Sequence, residues 1–289
     1  MLIKVAPQLR GRSEAELVSL LKQGLARVDG DSIVPTISGR ANLLANNYEG
    51  GVQSDTISTG NSGGASGDAF NAVSIGSGNT LIFDGTNAQE LLAAKHTFGG
   101  TATGYHGWSF TALTVKTWFR TYFAISAIPT VGTWFGPFRP VITDGSRSMS
   151  TGISTAGLLT FRNAADAIIT ALNPTIVTVL ATDTVYRLEW SEVPSTTVGE
   201  IEWWLYDDPD AAIGNHVETK GPVGSLVLGA EIAGYRTGCQ ATAANVAGLS
   251  LWNDNIAIST DGQIGPEGGE PPPPSTIIPL RSRNVVRSR

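Results

Sequence analysis

The chain has 289 residues, of which 19 are Lys or Arg and 25 are Asp or Glu, giving a formal net charge of −6 at pH 7. The acidic residues lie mainly in the centre and the two ends are mildly basic, so the sequence offers no coherent basic surface for a nucleic-acid backbone. A single cysteine excludes an internal disulfide framework, while 34 glycines and only 15% charged residues favour strands joined by turns.

No apolar run reaches the roughly 18–20 residues that span a bilayer, so we expect no membrane partner. Residues 1–10 lack the apolar core of a secretory signal. We therefore expect synthesis in a reducing cytosol, without export by the usual route.

The first 40 residues are predicted to form an N-terminal arm that contains an amphipathic helix over about 14–28. Ser13 and Glu16 make a capping box at its start, and Gly30 supplies its end. This helix either packs on the protein's own β-domain or anchors the subunit to a neighbour in an assembly. Its apolar stripe consists of Leu17, Leu20, Leu21 and Leu25.

Residues 41–262 are predicted to form one β-domain, because short apolar alternations recur between Gly- and Ser-rich turns. Residues 163–172 fit a short helix or a hairpin equally well. The other strand candidates are 108–113, 115–125, 133–138, 140–143, 158–162, 176–179, 223–233 and 246–259.

The clearest element is a β-hairpin at 185–208. Its two arms alternate between apolar and polar residues with period 2, around a polar connection that contains Pro194 and Gly199. The pattern places Trp203 on one face and Trp204 and Tyr206 on the other. A slip of one residue would exchange the faces, so the register is strongly specified.

Residues 263–289 are predicted to form an extended C-terminal arm, because a run of four prolines favours polyproline II and builds no core. We expect this arm to hold the chain to a neighbouring subunit. Its basic residues are Arg281, Arg283, Arg287 and Arg289.

Three segments resemble concanavalin A-like or laminin-G-like jelly rolls: N-L-L-A-N-N-Y-E-G-G at 42–51, the hairpin, and L-W-N-D-N-I-A-I-S-T at 251–260. The first and last of these are also similar to carbohydrate-binding jelly rolls, in which the first and last strands pair. The resemblance implies an all-β jelly-roll β-sandwich with the two arms attached.

The layout also resembles structural proteins of tailed bacteriophages, through the Gly- and Ser-rich run at 59–78 and the G-P-E-G-G-E-P-P-P-P segment at 265–274. This resemblance implies a non-enzymatic virion protein, made in the host cytoplasm and placed on the particle surface as a capsid decoration or minor tail protein. The implied partners are major capsid or tail subunits and further copies of the chain. The alternative function is a carbohydrate-binding module for adsorption to a host glycan.

Two segments are similar to catalytic motifs, and both depart from them. G-N-S-G-G at 60–64 lacks the Asp of the protease segment G-D-S-G-G and has no matching histidine. Glu200 and Glu202 resemble the E-x-D-x-x-E of laminarinase-type glycosidases, but Leu205 stands at the last position, so the acid/base is missing. We interpret these two glutamates as solvated carboxylates beside Arg187, and no catalytic residue is expected.

Glu49 and Asp254 match the positions where carbohydrate-binding jelly rolls often hold a structural calcium ion. Calcium is the one cofactor that this resemblance implies. Carboxylate oxygens suit Ca²⁺, but with Asn253 or Asn255 the set falls short of six ligands. Capping of turns by these side chains is the alternative.

The remaining candidates are aromatic. Trp204 and Tyr206, or the loop residue Trp134, are predicted to stack on a sugar ring or to fill a subunit interface. The alternative for the first two is the interior of a second sheet.

Overall fold

The computed structural model describes residues 43–99, 103–132, 137–172, 176–239 and 246–267, together with the backbone of four short strands outside these ranges. These residues form strands and turns with no α-helix, so the described part of the protein is all-β. The strands are β1 Lys4–Val5, β2 Ala26–Asp29, β3 Ser32–Pro35, β4 Leu44–Asn46, β5 Ala72–Ile75, β6 Thr80–Asp84, β7 Ala93–Thr97, β8 Gly104–Leu113, β9 Thr117–Ile125, β10 Trp134–Phe135, β11 Phe138–Val141, β12 Ser150–Ile153, β13 Leu159–Arg162, β14 Tyr186–Val193, β15 Gly199–Tyr206, β16 Glu218–Leu226, β17 Ile232–Cys239 and β18 Ser250–Ser259.

The largest sheet, called the large sheet below, has the strand order β16-β15-β14-β9-β18-β7-β6, and β4 also pairs with β18. The small sheet has the order β11-β17-β8-β5, and a three-stranded sheet has the order β10-β12-β13. A separate set of three strands, β1-β3-β2, lies in the first 40 residues. The pairing of β4 with β18 joins the first and last strands of the predicted β-domain, as the resemblance to carbohydrate-binding jelly rolls implies.

Aromatic side chains fill the space between the inner face of the large sheet and the other two sheets. Phe119 and Trp190 stack on each other within the large sheet and lie 5.8 and 5.9 Å, centroid to centroid, from Tyr235 of the small sheet. Trp203 stacks at 5.2 Å on Phe161 of the three-stranded sheet. The large sheet is therefore covered on its inner face by two smaller sheets.

The central hairpin forms as its alternation predicts. β14 and β15 pair antiparallel with Trp190 opposite Trp203, and Trp203 is buried in the core while Trp204 lies on the opposite face, half-buried. The N-D-N segment in β18 is a bulge, since Asn255 has a φ of 47° where the register shifts. Residues 163–172, for which the sequence fits a helix or a hairpin, form no helix. They make a turn that folds back on β13, with the Ile169 amide bonded to the Phe161 carbonyl.

Two predicted elements differ in the structure. The helix over 14–28 is wrong for residues 26–28, which belong to β2 and pair with β3. The leucine stripe of the predicted helix lies entirely outside the described residues. The strand predicted at 176–179 is absent, because the amides of Val177 and Thr178 are bonded to the Glu218 carboxylate and not to a neighbouring strand. Within the described ranges, no helix has the length and apolar composition needed to cross a membrane.

Candidate functional site on the outer face of the large sheet

Three strands of the large sheet place a row of charged and aromatic side chains on its outer face, away from the core. Glu189 of β14 lies opposite Arg120 of β9 and opposite Trp204 of β15. The adjacent row on the same face crosses β15, β14, β9 and β18, and it consists of Tyr206, Arg187, Tyr122 and Asp254. Charged side chains on a sheet face are normally solvated, so their burial here needs an explanation.

Arg187 and Glu189 form a fully buried ion pair on this face, with Nε and Oε1 2.8 Å apart. The guanidinium also donates hydrogen bonds to the carbonyl oxygens of Pro209 and Ala211 and stacks 3.7 Å above the Tyr206 ring. These contacts satisfy a cation that would otherwise carry a large desolvation penalty. The segment after β15 therefore covers this part of the face.

Residues 263–267, called the docked segment below, cover the rest of the charged row. Gly265 donates its amide to the Glu189 carboxylate at 3.1 Å and accepts a hydrogen bond from Arg120 at 2.9 Å. The Glu267 amide donates to the Tyr122 hydroxyl at 2.8 Å, and Gln263 donates to the hydroxyl of Tyr206. The base of the C-terminal arm is thus bonded to the sheet mainly through its own backbone.

One side chain of the docked segment is apolar and buried. Ile264 packs on Ala45 and Ala257, with Trp118 beside them. The prediction that the arm begins at 263 and contributes no core is therefore wrong for residues 263–267. They pack as part of the β-domain, and the domain boundary falls after Glu267 at the earliest.

Acidic side chains gather where the docked segment ends. Burial raises the pKa of the Glu267 carboxyl to about 7, and Glu90 and Glu49 nearby add to this shift. Burial also raises the pKa of Asp254 well above its usual range, and that of Glu90 to a smaller extent. Only Arg120 acts in the opposite direction on both Glu267 and Glu90. The Glu267 carboxyl therefore exchanges its proton near neutral pH.

The calcium hypothesis places Glu49 and Asp254 in this cluster, and the structure does bring them near each other. The Glu49 carboxylate accepts the amides of Leu91 and Leu92, and Asp254 accepts the amide of Gln89. Asn253 points to the inner face, toward Thr237 and Thr121. No group of three or more His, Cys, Asp or Glu side chains in the described ranges is arranged to hold a metal. The two carboxylates cap a loop, as the alternative interpretation has it, and calcium binding at them stays a prediction.

The two catalytic-like segments have structural roles. Ser62 of G-N-S-G-G is buried, and its hydroxyl accepts the amide of Phe70 at 3.0 Å. Glu200 and Glu202 lie 3.0 and 3.8 Å from the Lys116 amine, so the sequence interpretation that put them beside Arg187 is wrong about the partner. Arg187 does not reach these glutamates, because in the register of β14 and β15 it lies opposite Tyr206, whereas Glu202 and Glu200 lie opposite Ser191 and Val193.

The aromatic candidates separate in the structure. Tyr206 is fully buried under Arg187, so it is not an exposed platform, and the ring of Trp134 lies outside the described side chains. Trp204 is half-buried at the edge of the charged row. The leucine and arginine positions proposed as anchors, Leu17, Leu20, Leu21, Leu25, Arg281, Arg283, Arg287 and Arg289, also lie outside the described residues.

Sequence reasoning missed Arg120 and the docked segment. Arg120 stands between apolar neighbours in T-W-F-R-T-Y-F, where a lone cation in a strongly apolar strand signals a buried partner. The docked segment carries no local signal of this kind, because its contacts are made by backbone groups.

Comparisons with known proteins give only distant similarity. No protein-family model matches the chain, and a search of curated proteins finds no match. An alginate lyase from Aplysia kurodai is 8% identical with a TM-score of 0.48, covering 76% of this chain and 99% of its own. A botulinum neurotoxin type C structure that concerns interaction with two ganglioside molecules is 8% identical with a TM-score of 0.46, and this chain spans 48% of it. A sialidase from Trypanosoma rangeli is 12% identical with a TM-score of 0.42, covering 85% of this chain and 35% of its own. Similarities of this size do not identify a function.

Proposed function

We propose that the chain is a non-enzymatic structural protein of a bacteriophage virion, displayed on the particle surface as a capsid decoration or minor tail protein. Its body is a jelly-roll sandwich of the concanavalin A-like type, and its partners are major capsid or tail subunits and further copies of itself. The observation that carries the proposal is the docked segment, since Arg120, Glu189 and Tyr122 fix the base of the C-terminal arm on a rigid sheet.

A fixed base gives the rest of the arm a defined point of departure. An arm that leaves a rigid body at one point reaches a neighbouring subunit with less loss of conformational entropy than an arm that is free along its whole length. The charge distribution supports the same role, because a body with 9 basic and 19 acidic residues in 41–262 carries an arm with four arginines. Such an arm fits an acidic surface on a partner subunit.

The charged side chains of the outer face are paired and covered, which supports the proposal that the protein is not an enzyme. Arg187 and Glu189 neutralise each other, and the docked segment occupies the space above Glu189 and Arg120. A substrate would have to displace the chain's own backbone before it touched these groups.

Incorporation into particles tests the proposal. Purified particles of the phage that encodes the chain are stripped of it and incubated with the full-length protein or with a truncation after Glu267, which keeps the docked segment. The quadruple variant Arg281→Gln, Arg283→Gln, Arg287→Gln and Arg289→Gln is the matched control for charge at constant length. We expect the truncation to lose binding while its melting temperature is unchanged. Truncated protein at full occupancy, or the absence of the chain from purified particles by mass spectrometry, would overturn the proposal.

A second candidate function, binding of a host glycan, is favoured by a separate observation. Trp204 is half-exposed on the outer face beside the docked segment and not inside the core. An aromatic ring in this position can stack on a sugar.

A further inference from the structure

The part of the outer face that the docked segment leaves uncovered has two tryptophans. Trp118 lies opposite Ser191, and Ser191 lies opposite Glu202, so one row crosses β9, β14 and β15. Trp204 belongs to the same face, two residues beyond Glu202 on β15. Both tryptophans are half-buried, whereas their sequence neighbours Phe119 and Trp203 are fully buried in the core. Trp118, Ser191, Glu202, Trp204 and Lys116 are called the tryptophan patch below.

We propose that the tryptophan patch binds an uncharged oligosaccharide through stacking on both indole rings. This inference rests on the second candidate function, and it assigns that function to a site with Trp118, Ser191 and Lys116 in place of Tyr206 and Trp134.

The spacing of the two tryptophans suits a ligand longer than one sugar ring. They lie two strands apart and differ by two residues along the strand direction, which places their Cα atoms about 12 Å apart from standard sheet spacings. At that separation the two indoles offer stacking surfaces to different rings of an extended oligosaccharide.

Polar groups beside the rings supply hydrogen bonds. The Glu202 carboxylate is partly exposed and lies only 3.8 Å from the Lys116 amine, which in turn lies 5.5 Å from the centre of the Trp118 ring. Sugar hydroxyls both donate and accept hydrogen bonds, so they match a carboxylate beside an amine. The Ser191 hydroxyl lies buried below these groups, without a hydrogen-bond partner among the described residues.

The charges of the patch favour an uncharged sugar over an acidic one. Lys116 is shared between Glu202 of the patch and Glu200 beside it, so these three groups together carry one excess negative charge. A sugar carboxylate would be repelled by this excess and would have to compete with two glutamates for the single amine.

One wall of the patch belongs to the docked segment. Trp118 packs against the cluster that Ile264 forms with Ala45 and Ala257. This packing restricts the motion of the indole ring, and a restricted stacking surface loses less entropy when the ligand binds.

The test is a glycan array that contains neutral and acidic oligosaccharides, probed with the full-length protein and followed by titration of the strongest ligand. We expect neutral oligosaccharides to bind, and Trp204→Ala and Trp118→Ala each to weaken binding at least about tenfold. Trp204→Phe, which keeps a stacking ring, should retain most of the affinity. Val177→Ala, a substitution of an exposed apolar residue outside the patch, is the control. Thermal melting of each variant separates loss of binding from loss of fold.

Three results would overturn the inference. Binding of a neutral glycan that both tryptophan variants leave unchanged would place the site elsewhere, and the glycan-binding function itself would stand. A preference for acidic glycans would contradict the charge argument. An array without any bound glycan would remove both the site and the second candidate function, and it would leave the virion proposal untouched.

Discussion

The guanidinium of Arg120 donates a hydrogen bond to the carbonyl oxygen of Gly265 at 2.9 Å, which joins the middle of the large sheet to the base of the C-terminal arm. The same guanidinium bonds the Asn255 carbonyl at the bulge of β18, so one cation holds both the last strand and the segment that follows it. Because Arg120 is fully buried, each of these bonds is shielded from water. The arm therefore begins as part of the fold.

Truncation at two points tests this relationship. Ending the chain after Gly262 removes the bonds that the docked segment makes to Arg120, Glu189, Tyr122 and Tyr206, and uncovers Glu189 of the buried ion pair. We expect a loss of stability on the order of 3 kcal/mol, from four hydrogen bonds and the burial of Ile264, and a melting temperature lower by about 6–12 °C. The truncation after Glu267 should melt like the full-length protein. Equal melting temperatures for the two truncations would contradict the role given to the docked segment.

The buried pair of Arg187 and Glu189 predicts a strongly asymmetric response to substitution. Arg187→Met leaves the Glu189 carboxylate buried without its cation, and we expect a loss of about 3–5 kcal/mol. The double variant Arg187→Met, Glu189→Leu removes both charges and should recover a large part of that loss, although Gly265 loses an acceptor. Urea denaturation of the four members of the double-mutant cycle measures the coupling. Additive effects of the two substitutions would show that the pair does not act as a unit.

Glu192 predicts a loss of stability as pH rises. This carboxyl is buried on the inner face and bonded to the Ser148 hydroxyl, and burial raises its pKa from the usual 4.5 to about 7. The folded state therefore holds a proton that the unfolded state releases, so this group destabilises the fold progressively from about pH 4.5 to about pH 7 and by a constant amount above that. At pH 8, Glu192→Gln should be more stable than the wild type by about 2 kcal/mol.

Urea denaturation at pH 5 and pH 8 checks the Glu192 prediction. The difference between variant and wild type should be small at pH 5 and larger at pH 8. A difference that stays constant with pH would mean that the carboxyl does not titrate in this window.

His96 and His106 predict the opposite dependence at acid pH. Burial lowers the pKa of His96 to about 3 and that of His106 well below 6.5, where His106 is bonded to the Tyr48 hydroxyl at 2.7 Å. The unfolded chain binds protons below about pH 6.5 that the folded chain does not, so stability falls as pH decreases from 6.5 toward 3.

Substitution of His96 isolates its contribution to acid sensitivity. His96→Leu removes the titrating group from a site where the ring has no polar partner among the described residues. Relative to the wild type, this variant should gain stability with each pH unit below 6.5, by up to about 1.4 kcal/mol per unit. Denaturation midpoints at pH 7, 6 and 5 measure the trend, and parallel curves for the two proteins would refute it.

The sequence determined much of the local strand structure. The alternation in 185–208 places Trp203 inside and Trp204 outside because the side chains of a strand alternate between its two faces. The pairing of the first and last strands of the β-domain also agrees with the residues at 42–51 and 251–260. The predicted helix extends to residue 28, whereas residues 26–28 pair with β3 as part of β2, because strand pairing there overrides a local helical period.

Only the tertiary structure decided the character of the outer face. By the alternation alone, Tyr206 is as exposed as Trp204. It is buried because the Arg187 guanidinium stacks on its ring and Gln263, from the docked segment, bonds its hydroxyl. From the sequence, the docked segment is predicted to be the start of a proline-rich tail. In the structure, hydrogen bonds from its backbone to Arg120 and Glu189 hold it on the sheet. Backbone groups are the same in every residue, so the sequence carries no mark of where they bind. The period of a strand is a local property, whereas the covering of its face depends on which distant segments the whole fold brings there.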